Sequence, residues 1–112
     1  MPKFRVFVHG INFQMRAPDK DVAELLGFYT IGFVDALSPQ KAEELVIGLL
    51  RDHTDLREDV LNPQEDPPRF FVEEIAEIAD WPTDTKRPLT GLVFYNDPDV
   101  SWRKDNPSAK SN

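Results

Sequence analysis

The sequence predicts an α+β domain. An antiparallel sheet of about four strands, ordered β-β-α-β-β along the chain, packs on one main helix, with a short second helix after it. Two observations carry that prediction. Four segments alternate apolar with polar side chains or are rich in β-branched and aromatic residues, and one segment among them, 38–53, repeats its apolar residues at helical spacing. The chain has 112 residues, room for one such unit, since domains usually span about 50 to 250. Its bounds are placed at 1–96, and 97–112, polar and without periodicity, reads as a mobile C-terminal tail.

The first strand opens at 3–9, where Phe4, Val6 and Val8 share one face. After Gly10 the apolar side chains fall on odd positions, Ile11, Phe13 and Met15, so inside and outside are exchanged. That change of parity predicts a β-bulge at His9–Gly10, with the glycine supplying freedom from Cβ constraints. The stretch 16–26, with Pro18, Asp19 and Asp21, reads as a turn or long hairpin loop with room for one helical turn through Val22 to Leu26. A central strand follows at 27–36, with Tyr29, Ile31 and Phe33 on one face and Thr30, Gly32 and Val34 on the other. Gly32 is expected to admit a bulky neighbour such as Phe7 or Phe13.

The helix at 38–53 has the clearest signals. Ser38 is a preferred N-cap and Pro39 fits the first helical position, where its missing N–H costs nothing. Glu43 and Glu44 lie near the positive end of the dipole, Arg51 and His53 near the negative end. Ala42, Leu45, Val46, Leu49 and Leu50 form one apolar stripe that packs on the sheet. Leu56 and Val60, stopped by Asn62 and Pro63, predict the second, shorter helix. The run 62–68, "NPQEDPP", is an exposed and restrained connection, because proline favours neither helix nor ladder.

Segment 69–79 fits two periods. As a helix it gathers Val72, Ile75, Ala76 and Ala79 on one face; as a strand it separates Phe71, Ile75 and Ala79 from Phe70, Val72, Ala76 and Ile78. Its Phe-Phe-Val opening and β-branched residues favour the strand. The last strand, at 89–97, is expected to pair with it across the 82–88 loop.

Composition excludes several functions. The 20 acidic and 13 basic residues give a net charge of −7, against the clustered basic face that general nucleic-acid binding needs. An acidic balance serves solubility and also suits a partner with a basic face. There is no cysteine, so disulfides, thiolate metal sites and cysteine nucleophiles are ruled out. No apolar run approaches the roughly 20 residues of a membrane helix, and "MPKFRVFVHG" lacks the pattern of a signal peptide. A cytoplasmic protein is the expectation.

Signatures of catalysis are also missing. Two histidines without an H-x-x-x-H or H-E-x-x-H pattern argue against zinc, and no G-x-S-x-G, G-x-G-x-x-G or phosphate-cradling loop occurs. Neither a cofactor nor a metal is expected, and no catalytic residue is assigned. Glu73 and Glu77 share a face under either period, where a solvated face competes with a paired-carboxylate role. Tyr29, Phe33, Phe71 and Tyr95 suggest a core or a cross-strand ladder more than a nucleic-acid stacking platform, because the basic companions of such platforms are absent.

Two functional readings remain. The first is a non-enzymatic interaction module that self-associates or binds a protein partner through an acidic, aromatic-bearing surface, with Trp81, Trp102, Glu73 and Glu77 as candidate contacts. Its rationale is that one helix covers only one face of a sheet, and an opposite face lined by Phe7, Phe28 or Phe70 would be too apolar for water. In architecture and charge alone, such a plan is similar to small α+β antitoxin and immunity proteins. The second reading is a small-ligand-binding or enzymatic domain with a pocket between the His9–Gly10 bulge and the proline-rich loop, drawing on His9, Arg16, Tyr29 or Glu73.

Overall fold

Two long strands form the centre of the sheet. In the computed structural model, which describes residues 1–16 and 23–96, β1 (Lys3–Arg16) and β2 (Ala23–Asp35) pair antiparallel, Phe4 opposite Val34 and Arg16 opposite Ala23. Residues 17–22 of the expected hairpin loop, the expected tail and Trp102 lie outside the described residues. The sheet order is β3-β1-β2-β4, with β3 (Arg69–Ile78) antiparallel to β1 and β4 (Val93–Asn96) antiparallel to β2. Helices α1 (Pro39–Arg51) and α2 (Thr54–Asp59) complete the α+β fold. No helix among the described residues is long and apolar enough to cross a membrane.

The bulge in β1 is present, but its strained residue is Asn12. Ile11 and Asn12 together oppose the single residue Gly27, because Gly10 pairs with Phe28 and Phe13 with Leu26. Asn12 takes φ 62°, the left-handed region that asparagine enters more readily than most side chains. Gly10 keeps a negative φ and serves close packing instead. A Cβ there would lie 2.6 Å from Cζ of Phe28 and 2.7 Å from Cε2 of Phe13. The extra residue lets Phe4, Val6 and Val8 before it and Phe13 and Met15 after it all enter one core.

A second bulge falls in β3. Val8 pairs with Val72 and Phe7 with Glu74, so Glu73 is the extra residue. The segment is thus a strand, as its β-branched content suggests, but with a parity change inside it that simple alternation misses. Phe70, Val72 and Ile75 pack against the core, and Glu73 stands on the opposite face from Glu77, which lies beside Phe4 in the register. The expectation that Glu73 and Glu77 share a face fails for this reason.

Helix α1 closes one face. Ser38 is extended and its hydroxyl accepts from the Lys41 amide at 3.2 Å, with Pro39 next. Its first turn carries no acid, and Glu44 pairs with Lys41 at 3.2 Å. Ala42, Val46 and Leu50 are buried, whereas Leu45 is 48% exposed, so the buried stripe is narrower than the sequence pattern. Val46, from the helix, is the bulky neighbour that Gly32 admits, in place of Phe7 or Phe13. Beneath the helix, Phe13, Phe28, Phe70 and Phe94 pack edge to face or tilted, with centroids 5.0–6.2 Å apart. Phe28 and Phe70 therefore belong to the closed face.

Three other boundaries differ from the sequence pattern. Ala23–Leu26 is the start of β2, so no helical turn forms there. β3 and β4 occupy opposite edges and do not pair with each other, since each has one central strand as its partner. The expected 89–97 strand is split: Leu89 bridges Gly32, the Thr90 hydroxyl accepts from the Ile31 amide at 3.0 Å, and regular pairing begins at Val93. A side chain takes a ladder hydrogen bond there, which interrupts the strand.

Candidate functional site

Among the described residues, no helix covers the other face of the sheet. Alternation places Arg5, Phe7 and His9 of β1 on it, with Ile31 and Tyr29 of β2 opposite Phe7 and His9, and Phe71 of β3 beside His9. Tyr29 is 38% exposed, Phe71 45% and Val93 67%. The rings form a continuous row across three strands: Phe7 and Tyr29 stack with centroids 5.6 Å apart, His9 and Tyr29 at 4.3 Å, and Tyr29 and Tyr95 at 5.6 Å. Of the four rings expected as a core or a cross-strand ladder, Tyr29 and Tyr95 stack in this row, Phe33 is buried, and Phe71 stands exposed beside His9 in the register.

His9 is the hub of the polar contacts. Its Nε2 is hydrogen-bonded to the Tyr95 hydroxyl, and its Nδ1 lies 3.4 Å from Oε1 of Glu73. The β3 bulge produces this arrangement by turning Glu73 onto the His9 face. Arg5 is paired with Glu74 one step along the same face. Chemically, the face presents aromatic rings interleaved with carboxylates, a combination suited to cationic groups.

The candidates from sequence are only partly brought together. His9, Tyr29 and Glu73 meet, whereas Arg16 stands exposed at the far end of β1, seven residues beyond His9 and so roughly 20 Å away at about 3.3 Å per residue. Trp81 lies on the same face at its other end, edge-on to Phe33 with centroids 6.3 Å apart. Lys3 and Arg87 sit 5.6 Å and 5.0 Å from its ring. It shields Phe33, which is buried, and is itself half-buried. Glu77 is exposed on the helix side of the edge strand.

The bulge and the proline-rich loop do meet, but through a hydrogen-bond network. The Asn12 side-chain amide donates to Oδ1 of Asp66 at 2.9 Å and to the Pro67 carbonyl at 3.1 Å; the Asn62 side chain donates to the backbone carbonyls of Asn12 and Asp66, each at 2.8 Å, and accepts from the Gln14 backbone N–H at 2.9 Å. The loop is thereby pinned to β1. The concavity beside it, a cleft of about 610 Å³, opens between α1, α2 and β3; Phe71, on the edge strand, is among its lining residues, whereas His9 and Tyr29 are not. No group of three or more histidine, aspartate or glutamate side chains placed for a metal ion occurs among the described residues.

Phe7 stands on this face as the sequence pattern predicts, and Glu74, Val93 and, as a hydrogen-bond partner, Tyr95 complete it beyond the candidates from sequence. The available signal was strand parity carried across the register, which requires both bulges to be placed first. Comparison with protein families, curated proteins and solved structures finds no match to this chain.

Proposed function

We propose that the protein is a non-enzymatic interaction module whose working surface is the helix-free face of the sheet, and that its partner is a protein presenting basic side chains. One observation supports this above the others: Tyr29, Phe71 and Val93 stand exposed on a sheet face that no other described element covers, beside the carboxylates of Glu73 and Glu74. Exposed aromatic residues give contact area and ring faces for guanidinium or ammonium groups. The carboxylates and the net charge of −7 favour a basic partner.

The first experiment is light scattering on a size-exclusion column at two concentrations about tenfold apart, followed by NMR titration with an arginine-rich peptide and a glutamate-rich control. A monomer whose Tyr29, Phe71 and Val93 resonances shift saturably with the basic peptide alone is the expected result. A dimer that dissociates on Phe71→Ser would put a second copy on the face. No response to the basic peptide would remove the reading.

A second reading, an enzymatic or small-ligand site, draws on the placement of His9 between Glu73 and Tyr95. A carboxylate on one ring nitrogen and a hydroxyl on the other is the arrangement by which an imidazole is oriented as a base. The open setting counts against it, since small-molecule chemistry favours a concave, water-poor site.

A further inference from the structure

We infer that the cleft between α1, α2 and β3, on the opposite side of the sheet from the aromatic face, binds a small amphipathic carboxylate, its apolar body in the cleft and its carboxylate on Arg51. The cleft measures about 610 Å³, within the range of about 300–1,000 Å³ typical of small-molecule sites. Most of its lining residues are aliphatic or aromatic, although its exposed surface is about evenly polar and apolar: Phe13, Leu50 and Leu56 are buried around it, and Ile47, Phe70 and Val72 stay partly exposed. Partly buried apolar side chains gathered around one concavity favour an apolar occupant.

The wall opposite the helices is held in place without a ligand. Pro67 and Pro68 form part of it, and the network from Asn12 and Gln14 to Asn62 and Asp66 fixes the segment that carries them. A site already ordered avoids the entropic cost of closing around its ligand.

Charge decides the ligand's polar end and its direction. Arg51, in the last turn of α1, lines the cleft, and it takes no part in the ion pairs found among the described side chains, Arg5 with Glu74, His9 with Glu73 and Lys41 with Glu44. Guanidinium takes carboxylate in a two-pronged hydrogen bond, a geometry a solvated surface arginine offers freely. Glu43 lines the other end, eight residues earlier on the same helix face, about 12 Å away along the axis. It repels an anion there and so orients the ligand with its carboxylate at Arg51. The net charge of −7 opposes anion binding at long range, but in physiological salt that repulsion is screened beyond about 8 Å.

The test uses decanoate and decylammonium, two chains of equal length and opposite charge, titrated into the full-length protein by calorimetry and NMR. Decanoate is expected to bind saturably, with shifts centred on Ile47, Leu56, Val60 and Val72, and decylammonium at least about tenfold more weakly. Arg51→Gln, an exposed substitution, should lower the melting temperature by no more than a few degrees, through the lost charge at the helix end, and bring decanoate down to the level of decylammonium. Val72→Trp should fill the cleft and abolish both, with Val60→Phe as the substitute if that variant does not fold. Equal affinity for the two chains, stronger binding of decylammonium, decanoate binding that survives Arg51→Gln, shifts centred on Tyr29 and Val93, or no binding at all would each overturn the assignment.

Discussion

Phe28 and Tyr29 are neighbours in β2, yet the Phe28 ring is fully buried among Phe13, Phe70 and Phe94 while Tyr29 stands 38% exposed against His9. The two residues belong to the two faces of one sheet. On the closed face, side chains interlock with α1 so tightly that Gly10 and Gly32 are required where rings and Val46 approach. On the open face, the aromatic residues stack along the sheet and their edges pair with polar groups, Tyr95 with His9 and Arg5 with Glu74 among the neighbours. The difference separates what holds the fold from what is available for recognition: substitutions should cost stability on one face and binding on the other.

The largest effect should come from the centre of the closed face. Phe28→Ala removes a ring with no solvent exposure and should destabilise by about 3–5 kcal/mol, read as a lower urea midpoint at unchanged slope. A loss below about 1 kcal/mol would mean that the core can collapse around the missing ring, and the contrast between faces would fail. Next is Gly10→Ala, which sets a methyl group against the Phe28 and Phe13 rings. Overpacking of this kind costs about 1–3 kcal/mol, measurable in the same experiment, although alanine is normally better than glycine in a strand.

How much of this was legible in the sequence follows from the same residues. Period-2 alternation in 3–9 and 27–36 and the Ser38-Pro39 start of the helix are local signals, and they placed the central strands and α1 correctly. The change of parity after Val8 reveals the first bulge but points to Gly10, because glycine is the commonest answer to a backbone requirement. Asn12 carries the left-handed conformation, and Gly10 answers a requirement set by Phe28, eighteen positions away in sequence. The β3 bulge left no local trace: two successive glutamates are polar on either face, so moving one across the sheet changes nothing in the hydrophobic pattern. That hidden shift brought Glu73 to His9 and sent Glu77 to the opposite face. Edge pairing was likewise a tertiary matter, since β3 and β4 each found a central strand rather than each other. Of the candidate site, the residue types were visible and their meeting was not.

The Asn12 bulge can be separated into its backbone and side-chain parts. Asn12→Ala and Asn12→Gly both lose the hydrogen bonds to Asp66 and Pro67, but only alanine retains a Cβ at φ 62°. The alanine variant should therefore be the less stable by about 1 kcal/mol, the left-handed penalty partly offset by the greater freedom of glycine in the unfolded chain. Equal midpoints for the two would show that hydrogen bonding to the proline-rich loop alone holds the bulge.

The smallest stability effect should fall on the open face, where it is the most informative. Phe71 is 45% exposed on an edge strand, so Phe71→Ser forfeits the burial of only part of one ring, no more than about 1 kcal/mol. If the face serves recognition, the same substitution should weaken the arginine-rich peptide by at least about fivefold, because a ring that contributes little to folding contributes its area when a partner covers it. Stability and binding then move in opposite proportion for Phe28 and Phe71, although both lie in the same sheet. A Phe71→Ser protein that loses several kcal/mol would show that this ring is part of the fold's own packing, and that the open face is less free than its exposure indicates.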